Sequence, residues 1–164
     1  YAAVKAIRPT VSVGISPAGD IEKNREELYA DAARWGGEEG YVDYLMPQLY
    51  YGFENSASPF EKTARQWANL IRCDSVKLYA GLAIYKSGEE DQYAGPESDQ
   101  KQGPRYEWIN HSDIISRQVA WGRKTQPYAG FALYSYQYSF GDSRSKQLQK
   151  EWNALSALLE NKEK

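Results

Sequence analysis

The sequence predicts an α/β fold, namely half of a TIM-type (β/α)8 barrel with four parallel strands that alternate with helices. Apolar runs that predict strands begin at Val11, Val42, Val76 and Ala129, and a helical pattern follows each of them. Such alternation favours a parallel sheet with helical crossovers. A complete barrel needs roughly 250 residues, whereas this chain has 164. We therefore expect one domain that forms half of a barrel.

The first unit begins after the end of a preceding helix. Residues 1–8 (YAAVKAIR) form that helix end, which Pro9 terminates. Residues 11–15 (VSVGI) predict the first strand. Asn24 is the predicted N-cap of a helix over residues 25–35, because Leu28, Ala32 and Trp35 would lie on one face. Gly36 and Gly37 should end this helix, so residues 9–40 form one strand–helix unit.

The second and third units repeat this pattern. Residues 42–51 (VDYLMPQLYY) predict a buried strand whose regular pairing should fail near Pro47. Ser58 and Pro59 start a helix over residues 60–72, which completes the unit 41–74. Residues 76–85 (VKLYAGLAIY) predict the third strand.

A loop rich in serine, glycine, proline and acidic residues follows the third strand, over residues 87–104. Asn110 or Ser112 should cap the next helix, residues 113–123, which ends the unit 75–125. Residues 129–138 (AGFALYSYQY) predict the fourth strand, and a final helix from Ser143 to Leu159 completes the unit 126–164.

The composition suits a carbohydrate site and a tyrosine-rich core equally well, and it argues against several other kinds of site. The chain has 14 Tyr and 5 Trp against 4 Phe, and aromatic side chains with a polar group suit half-wet surfaces. The net charge of −2, without a basic block, argues against nucleic acid as a partner. One Cys and one His provide no framework for a metal, and we expect no cofactor. No segment has the roughly 20 apolar residues of a membrane span.

Polar and aromatic residues follow the predicted strands at their carboxyl ends, where α/β folds bind ligands. Tyrosine rings can stack on the apolar face of a pyranose while amides and hydroxyls bind its polar groups. An alternative is that several of these tyrosines only fill the barrel. The candidate substrate-binding residues are Ser16, Gln48, Tyr50, Tyr51, Tyr85, Tyr134 and Tyr136.

Carboxylates near the strand ends are candidates for catalysis, because glycoside cleavage usually needs two carboxyl groups. Asp20 and Glu54 are the candidates, although each could be a solvated loop residue. The acidic residues of the 87–104 loop suit solvent better, and Asp142 follows the fourth strand. Asp43 begins a strand, where a structural role is expected. His111 could be a general base but better suits a capping or surface position.

Several segments resemble the family-ten-like glycosyl hydrolases, a group of barrel proteins related to the α-amylase-like glycosidases. The resemblance covers nearly the whole chain, and the segments occur in the family's order and spacing. They are residues 13–19 (VGISPAG), 28–31 (LYAD), 40–44 (GYVDY), 47–51 (PQLYY), 77–83 (KLYAGLA) and 130–136 (GFALYSY).

This resemblance implies the carboxyl-terminal half of a glycosidase barrel. Some relatives are bacterial envelope proteins that cleave peptidoglycan glycan strands stripped of their peptides, which implies a glycan partner and an extracytoplasmic or cell-envelope location. The family's best candidate catalytic acids would precede Tyr1. Because the chain does not begin with methionine, we expect that the natural protein begins upstream. The segment should then supply substrate-binding subsites and be inactive without the missing half.

Two alternatives remain open. The chain could be a noncatalytic carbohydrate-binding module, since abundant tyrosines at strand ends suit that function as well. It could also form a homodimer, because an open four-stranded sheet has two unpaired edges and exposed edges invite pairing.

Overall fold

A four-stranded, entirely parallel sheet forms the centre of the computed structural model, which describes residues 1–141 and 145–160. The order of the strands in the sheet is their order along the chain: β1 (Gly14–Ile15), β2 (Tyr44–Leu45), β3 (Lys77–Leu82) and β4 (Tyr128–Leu133). Helices connect successive strands. The predicted fold class, a partial α/β fold of TIM type, is therefore confirmed.

The described helices alternate with these strands. They are α1 (Ala2–Ile7), α2 (Ile21–Glu26), α3 (Ala32–Gly37), α4 (Phe60–Leu70), α5 (Glu107–Asn110), α6 (Ile114–Arg123), α7 (Tyr136–Phe140) and α8 (Lys146–Glu160). Two short 3₁₀ helices, Ile84–Lys86 and Pro104–Tyr106, flank the long loop. None of these described helices has the length and apolar character needed to cross a bilayer.

The prediction of one helix over residues 25–35 is wrong, because the chain forms α2 and α3 there instead. Each of the two helices has its own cap: the side chains of Asp20 and Asp31 accept backbone N–H groups, both at 3.0 Å. Tyr29 lies between the helices with φ of 51°, which a helix cannot accommodate. The spacing of Leu28, Ala32 and Trp35 was thus misleading, and Leu28 is 53% exposed.

Asn24 is not an N-cap but lies buried within α2. Its side chain accepts a hydrogen bond from the backbone N–H of Ala18 at 3.1 Å and donates to the carbonyls of Ala18 and Asp20, each at 2.7 Å. These bonds fold the segment after β1 back against α2. Asn24 therefore shapes the loop at the carboxyl end of β1.

The ends of β2 and β4 differ in how well the sequence predicted them. Pairing of β2 becomes irregular after Leu45, as expected near Pro47, and resumes where Gln48 bridges to Ala18 and Gly81. The prediction that β4 continues to residue 138 is wrong. It ends at Leu133, and the following residues form α7.

The predicted caps of α6 are also wrong. Neither Asn110 nor Ser112 occupies the N-cap position, which is that of Asp113. Glu151 of α8 reaches across instead, and its carboxylate accepts the backbone N–H of Ile115 at 2.6 Å. Helix α8 begins at Lys146, whereas Ser143, its predicted start, and Asp142 lie outside the described residues.

The core lies between the sheet and the helices. Leu45, Leu49, Leu78 and Leu82 are fully buried, together with Trp67 of α4. The opposite face of the sheet is less covered: Tyr44, Tyr79 and Phe131 line a cavity of about 460 Å³. The outer edges of β1 and β4 pair with no other described strand. The homodimer expected from the sequence stays a prediction.

Asp43 lies at the amino end of β2, away from the strand ends that carry the candidate site. Its carboxylate accepts the backbone N–H of Val13 at 2.7 Å and pairs with Lys5 at 2.8 Å. The hydrogen bond from Lys5 is the largest of the effects that lower the pKa of this carboxyl. The expected structural role of Asp43 is thus consistent with its contacts.

Candidate functional site

Four tyrosines form a cluster at the carboxyl end of the sheet, hereafter the tyrosine cluster (Tyr50, Tyr85, Tyr134 and Tyr138). The rings of Tyr50 and Tyr134 stack at 5.7 Å between centroids and 26° between planes. Tyr85 meets Tyr50 at 6.0 Å and Tyr134 at 5.9 Å, edge to face in both cases. Three tyrosines predicted from different strand ends are therefore neighbours, as the convergence of parallel strands requires.

The cluster combines buried and exposed rings. Tyr50 and Tyr85 are half-buried, and Tyr134 is 57% exposed. Burial raises the pKa of both Tyr50 and Tyr85, neighbouring tyrosines add to the increase at both, and Asp91 adds to it at Tyr85. Both hydroxyls therefore remain neutral hydrogen-bonding groups at physiological pH. A surface of this kind offers ring faces and hydroxyls without a net charge.

Gln48 and Ser16 lie beside each other at the ends of β2 and β1. The Gln48 side-chain amide donates to the carbonyl of Ser16 at 3.3 Å. The backbone N–H of Gln48 donates to Pro17 at 3.0 Å, which fixes the position of the residue in the sheet. The structure therefore brings both predicted residues to the carboxyl end of the sheet. The exposed Ser16 contributes a carbonyl to this contact.

Tyr51 and Asp20 lie together on the other side of Gln48. Tyr51 packs against Gly19, where a Cβ atom would collide with the carbonyl of Gln48 and would lie 2.6 Å from the tyrosine ring. Burial raises the pKa of Tyr51; the charge of Asp20 adds to the increase, and a hydrogen bond with the Asp20 backbone opposes it. Asp20 is exposed, and its carboxylate accepts the N–H of Lys23. The side chain of Asp20 is therefore engaged as the N-cap of α2.

A cleft of about 310 Å³ joins several of these residues, and it is called the first cleft below. Its lining includes the predicted residues Asp20, Gln48, Tyr50 and Tyr51, together with three residues that sequence reasoning missed. These are Lys86, Asp91 and Tyr93.

Asp91 was expected to be solvated with the rest of the acidic loop, and that expectation is wrong. Its carboxylate is 4% exposed and accepts from Lys86 Nζ at 2.6 Å. Lys86 Nζ also donates to the carbonyl of Tyr50 at 2.8 Å. The ion pair therefore ties the long loop to the end of β2. A lysine directly after the strand-end Tyr85 was the one signal in the sequence that could have indicated such a pair.

Two predicted residues, Tyr136 and Glu54, lie apart from the tyrosine cluster and the first cleft. Tyr136 is on α7 rather than on a strand, is 77% exposed, and packs against Phe140 at 5.1 Å between centroids. Tyr138 takes its place in the tyrosine cluster, 6.1 Å from Tyr85. The predicted strand-end position of Tyr136 is thus wrong, because β4 ends before it.

Glu54 is exposed and does not line the first cleft. Its carboxylate lies 3.9 Å from the Nε2 atom of His111, which agrees with a surface position for the histidine. Its backbone N–H donates to the buried carboxylate of Glu107 at 3.0 Å, and the N–H of Phe53 donates to the same group at 2.8 Å. Burial raises the pKa of Glu107 despite these bonds.

The described residues include no cluster of three or more His, Cys, Asp or Glu side chains that could hold a metal ion. Cys73 is buried, with its Sγ atom 3.1 Å from the Ser75 hydroxyl. Within the described residues, 1–141 and 145–160, the carboxyl end of the sheet thus offers tyrosines, an amide and carboxylates as ligand-binding groups.

Several known proteins match the chain, and two of them illustrate the similarity. Glycosyl hydrolase DigH of Escherichia coli (strain K12) is 38% identical over 101 residues, which cover 52% of this chain and 23% of the relative. Glycosyl hydrolase YngK of Bacillus subtilis (strain 168) is 34% identical over 98 residues, which cover 51% of this chain and 19% of the relative. The similarity therefore extends over about a quarter or less of the length of these curated relatives.

No solved structure matches the chain significantly. The model of the family described as "Glycosyl hydrolase-like 10" matches residues 1–96. This range contains β1 to β3 and the residues Gln48, Tyr50, Tyr51 and Tyr85. Because the match covers more than half of the sequence, the chain belongs to the glycosyl hydrolase-like 10 family.

Proposed function

We propose that this chain forms the glycan-binding part of a glycoside hydrolase whose substrate is the peptidoglycan strand without its peptides. The observation that carries the proposal is the tyrosine cluster beside Gln48 at the carboxyl end of the sheet. Family membership supports the class of reaction, and the substrate follows from the resemblance to envelope glycosidases.

The cluster suits a sugar for physical reasons. A pyranose has an apolar face of C–H groups and a rim of hydroxyls, so it gains from both ring stacking and neutral hydrogen bonds. Tyr134 is the most accessible ring of the tyrosine cluster, at 57% exposure. Tyr50 stacks behind it and keeps the Tyr134 ring in place. The site is therefore organised before the sugar arrives, which reduces the entropy lost on binding.

Catalysis would depend on carboxylates without other bonding partners, and the described residues of the first cleft do not offer them. A glycosidase places two carboxyl groups about 5–5.5 Å apart for retention, or 6.5–9.5 Å apart for inversion. Here Asp20 caps α2, and Asp91 is paired with Lys86. Glu54 lies outside the first cleft. We therefore expect the chain by itself to bind the glycan without cleaving it, with the acids supplied by upstream strands of the barrel.

The test measures binding and hydrolysis of peptide-free peptidoglycan strands by this chain and by a version extended with the amino-terminal half of the barrel. Binding by both and cleavage only by the longer protein would support the proposal. Cleavage by the chain itself would contradict it and turn attention to Asp20 and Glu54. Binding without cleavage by either protein would favour a noncatalytic carbohydrate-binding module.

A matched set of variants identifies the binding surface. Tyr134→Ala should weaken binding up to about tenfold, the equivalent of about 0.5–1.5 kcal/mol for one aromatic contact, whereas Tyr134→Phe should keep most of the affinity. Tyr29→Asn is the control, because Tyr29 is 89% exposed outside both the first cleft and the tyrosine cluster. Asparagine also tolerates the positive φ at that position. Equal binding by Tyr134→Ala and the control would contradict the proposed surface.

A further inference from the structure

Tyr93 is a tyrosine whose side chain is in solvent while its backbone is anchored on both sides. The side chain is 92% exposed, but Ala94 beside it is 2% exposed. The Ala94 carbonyl accepts the N–H of Ser56 at 2.8 Å, and the Ala94 N–H donates to the backbone carbonyl of Asp91 at 3.0 Å. The N–H of Asp91 in turn donates to the carbonyl of Arg105 at 2.9 Å. Hydrogen bonds therefore anchor the backbone that carries this exposed ring.

The ring of Tyr93 lies where two clefts meet. It lines the first cleft, which holds Gln48 and Tyr50. It also lines a second cleft of about 700 Å³, formed with Tyr85 and Tyr138 and called the second cleft below. Both clefts therefore contain members of the tyrosine cluster, and Tyr93 is common to them.

The ion pair between Lys86 and Asp91 also belongs to both clefts. Because Lys86 bonds to the Tyr50 carbonyl as well, the pair connects the end of β2 to the turn that carries Tyr93. The side chain of Lys86 is 17% exposed and that of Asp91 is 4% exposed. Such a shielded pair has a defined geometry, unlike an exposed one. Loss of the pair would remove the side-chain link between this turn and the end of β2.

We propose that Tyr93 is a sugar-binding residue on which one pyranose ring stacks as a glycan strand passes from the first cleft into the second. The Lys86–Asp91 pair acts as a positioning pair that keeps Tyr93 in place for this contact. The inference rests on the proposed glycan-binding function and extends it, because it assigns a binding role to the loop. An exposed aromatic ring on an anchored backbone is a favourable platform, since the backbone loses little motion when the ligand binds.

The test compares two probes of different length, a disaccharide and a hexasaccharide of peptide-free peptidoglycan, by isothermal titration calorimetry. A glycan long enough to cross both clefts must pass Tyr93, where the clefts meet, whereas a disaccharide can bind within one cleft without reaching that junction. Tyr93→Ala should therefore weaken binding of the hexasaccharide by about tenfold, the size of a good aromatic contact, and should change disaccharide binding little. Tyr93→Phe should keep the wild-type affinity for the hexasaccharide, and Tyr29→Asn should bind both probes as the wild type does.

Lys86→Met tests the positioning pair. Methionine keeps an unbranched side chain of similar length but removes the ion pair and the bond to Tyr50. We expect it to weaken hexasaccharide binding about as much as Tyr93→Ala, and the double variant should lose little more than either single one. Additive losses would overturn the positioning role. If Lys86→Met does not fold, the Tyr93 variants alone decide the role of that ring.

The outcomes separate the two proposals. If the wild type binds neither probe, the proposed function is overturned and this inference with it. If the wild type binds and Tyr134→Ala weakens binding, but Tyr93→Ala binds the hexasaccharide as tightly as the wild type, only the role of Tyr93 is overturned.

Discussion

Glu151 should make the stability of this protein depend on pH, and Glu151→Gln should remove that dependence. The residue is 1% exposed. Burial raises the pKa of its carboxyl from 4.5 to about 7, and the nearby Asp113 adds to the increase. Hydrogen bonds from the backbone at the start of α6 oppose this increase without cancelling it. Because the pKa is raised on folding, the folded state binds the proton more tightly than the unfolded state does.

The sign and size of the effect follow from that difference. Stability associated with protonated Glu151 is fully present below the unfolded pKa of 4.5 and is lost as the pH rises through the folded pKa of about 7. One pH unit of pKa difference corresponds to about 1.4 kcal/mol. Above pH 7 the ionised carboxylate should therefore cost the folded state about 3 kcal/mol. A glutamine is neutral at every pH, and its side-chain carbonyl can still accept the Ile115 N–H.

The assay is urea unfolding followed by far-UV circular dichroism at several pH values between about 4 and 8.5. Wild type and Glu151→Gln should have similar free energies of unfolding near pH 4, and the variant should be the more stable one by up to about 3 kcal/mol near pH 8.5. Glu160→Gln, an exposed position on the same helix, is the control and should follow the wild type. Parallel pH profiles for wild type and Glu151→Gln would refute the reasoning, because they would mean that the backbone donors of α6 keep Glu151 ionised in the folded protein.

Two further substitutions test the packing that supports the site. Gly52→Ala should destabilise the fold by about 1–3 kcal/mol in a thermal melt, because a Cβ atom there would collide with the buried carboxylate of Glu107. Gly122→Ala is the control and should change the stability little, since nothing lies within 4 Å of its added methyl group. Trp67→Phe should cost about 3 kcal/mol by chemical denaturation, because Trp67 Nε1 donates to the Gly19 carbonyl at 2.6 Å. Trp108→Phe should cost less, as its Nε1 has no partner among the described residues, and equal losses would argue against the importance of the Gly19 bond.

Much of the fold could be predicted from the sequence, because the alternation of apolar strand and helix patterns follows directly from burial. The failure of regular pairing near Pro47 was also predictable, since proline cannot donate to the ladder. The division of residues 25–35 into two helices was not. An apolar spacing suited to one helix competed there with two aspartate caps, and only the folded chain shows that Asp20 and Asp31 each accept a backbone N–H.

The candidate site likewise contains residues that could be predicted from the sequence and residues that could not. Tyr50, Tyr85 and Tyr134 could be placed together because the carboxyl ends of adjacent parallel strands converge. The Lys86–Asp91 pair and Tyr93 could not, because they depend on the path of an irregular loop that has no periodic pattern. Tyr136 was misplaced for a simpler reason: the alternation of residues 129–138 continues beyond Leu133, where the sheet itself ends.

The two carboxyl groups with raised pKa values are poor candidates for the missing catalytic acids. A raised pKa in a carboxyl group often marks an active site, but structural groups are shifted as well. Glu107 is 2% exposed and accepts two backbone N–H groups, while Glu151 is 1% exposed and accepts the N–H of Ile115. Glu107 accepts backbone N–H groups of the 53–54 loop, and Glu151 accepts one at the start of α6. A glycan could reach neither carboxyl unless the segment bonded to that carboxyl unfolded. Their pKa values therefore indicate the energetic cost of anchoring the 53–54 loop and α6.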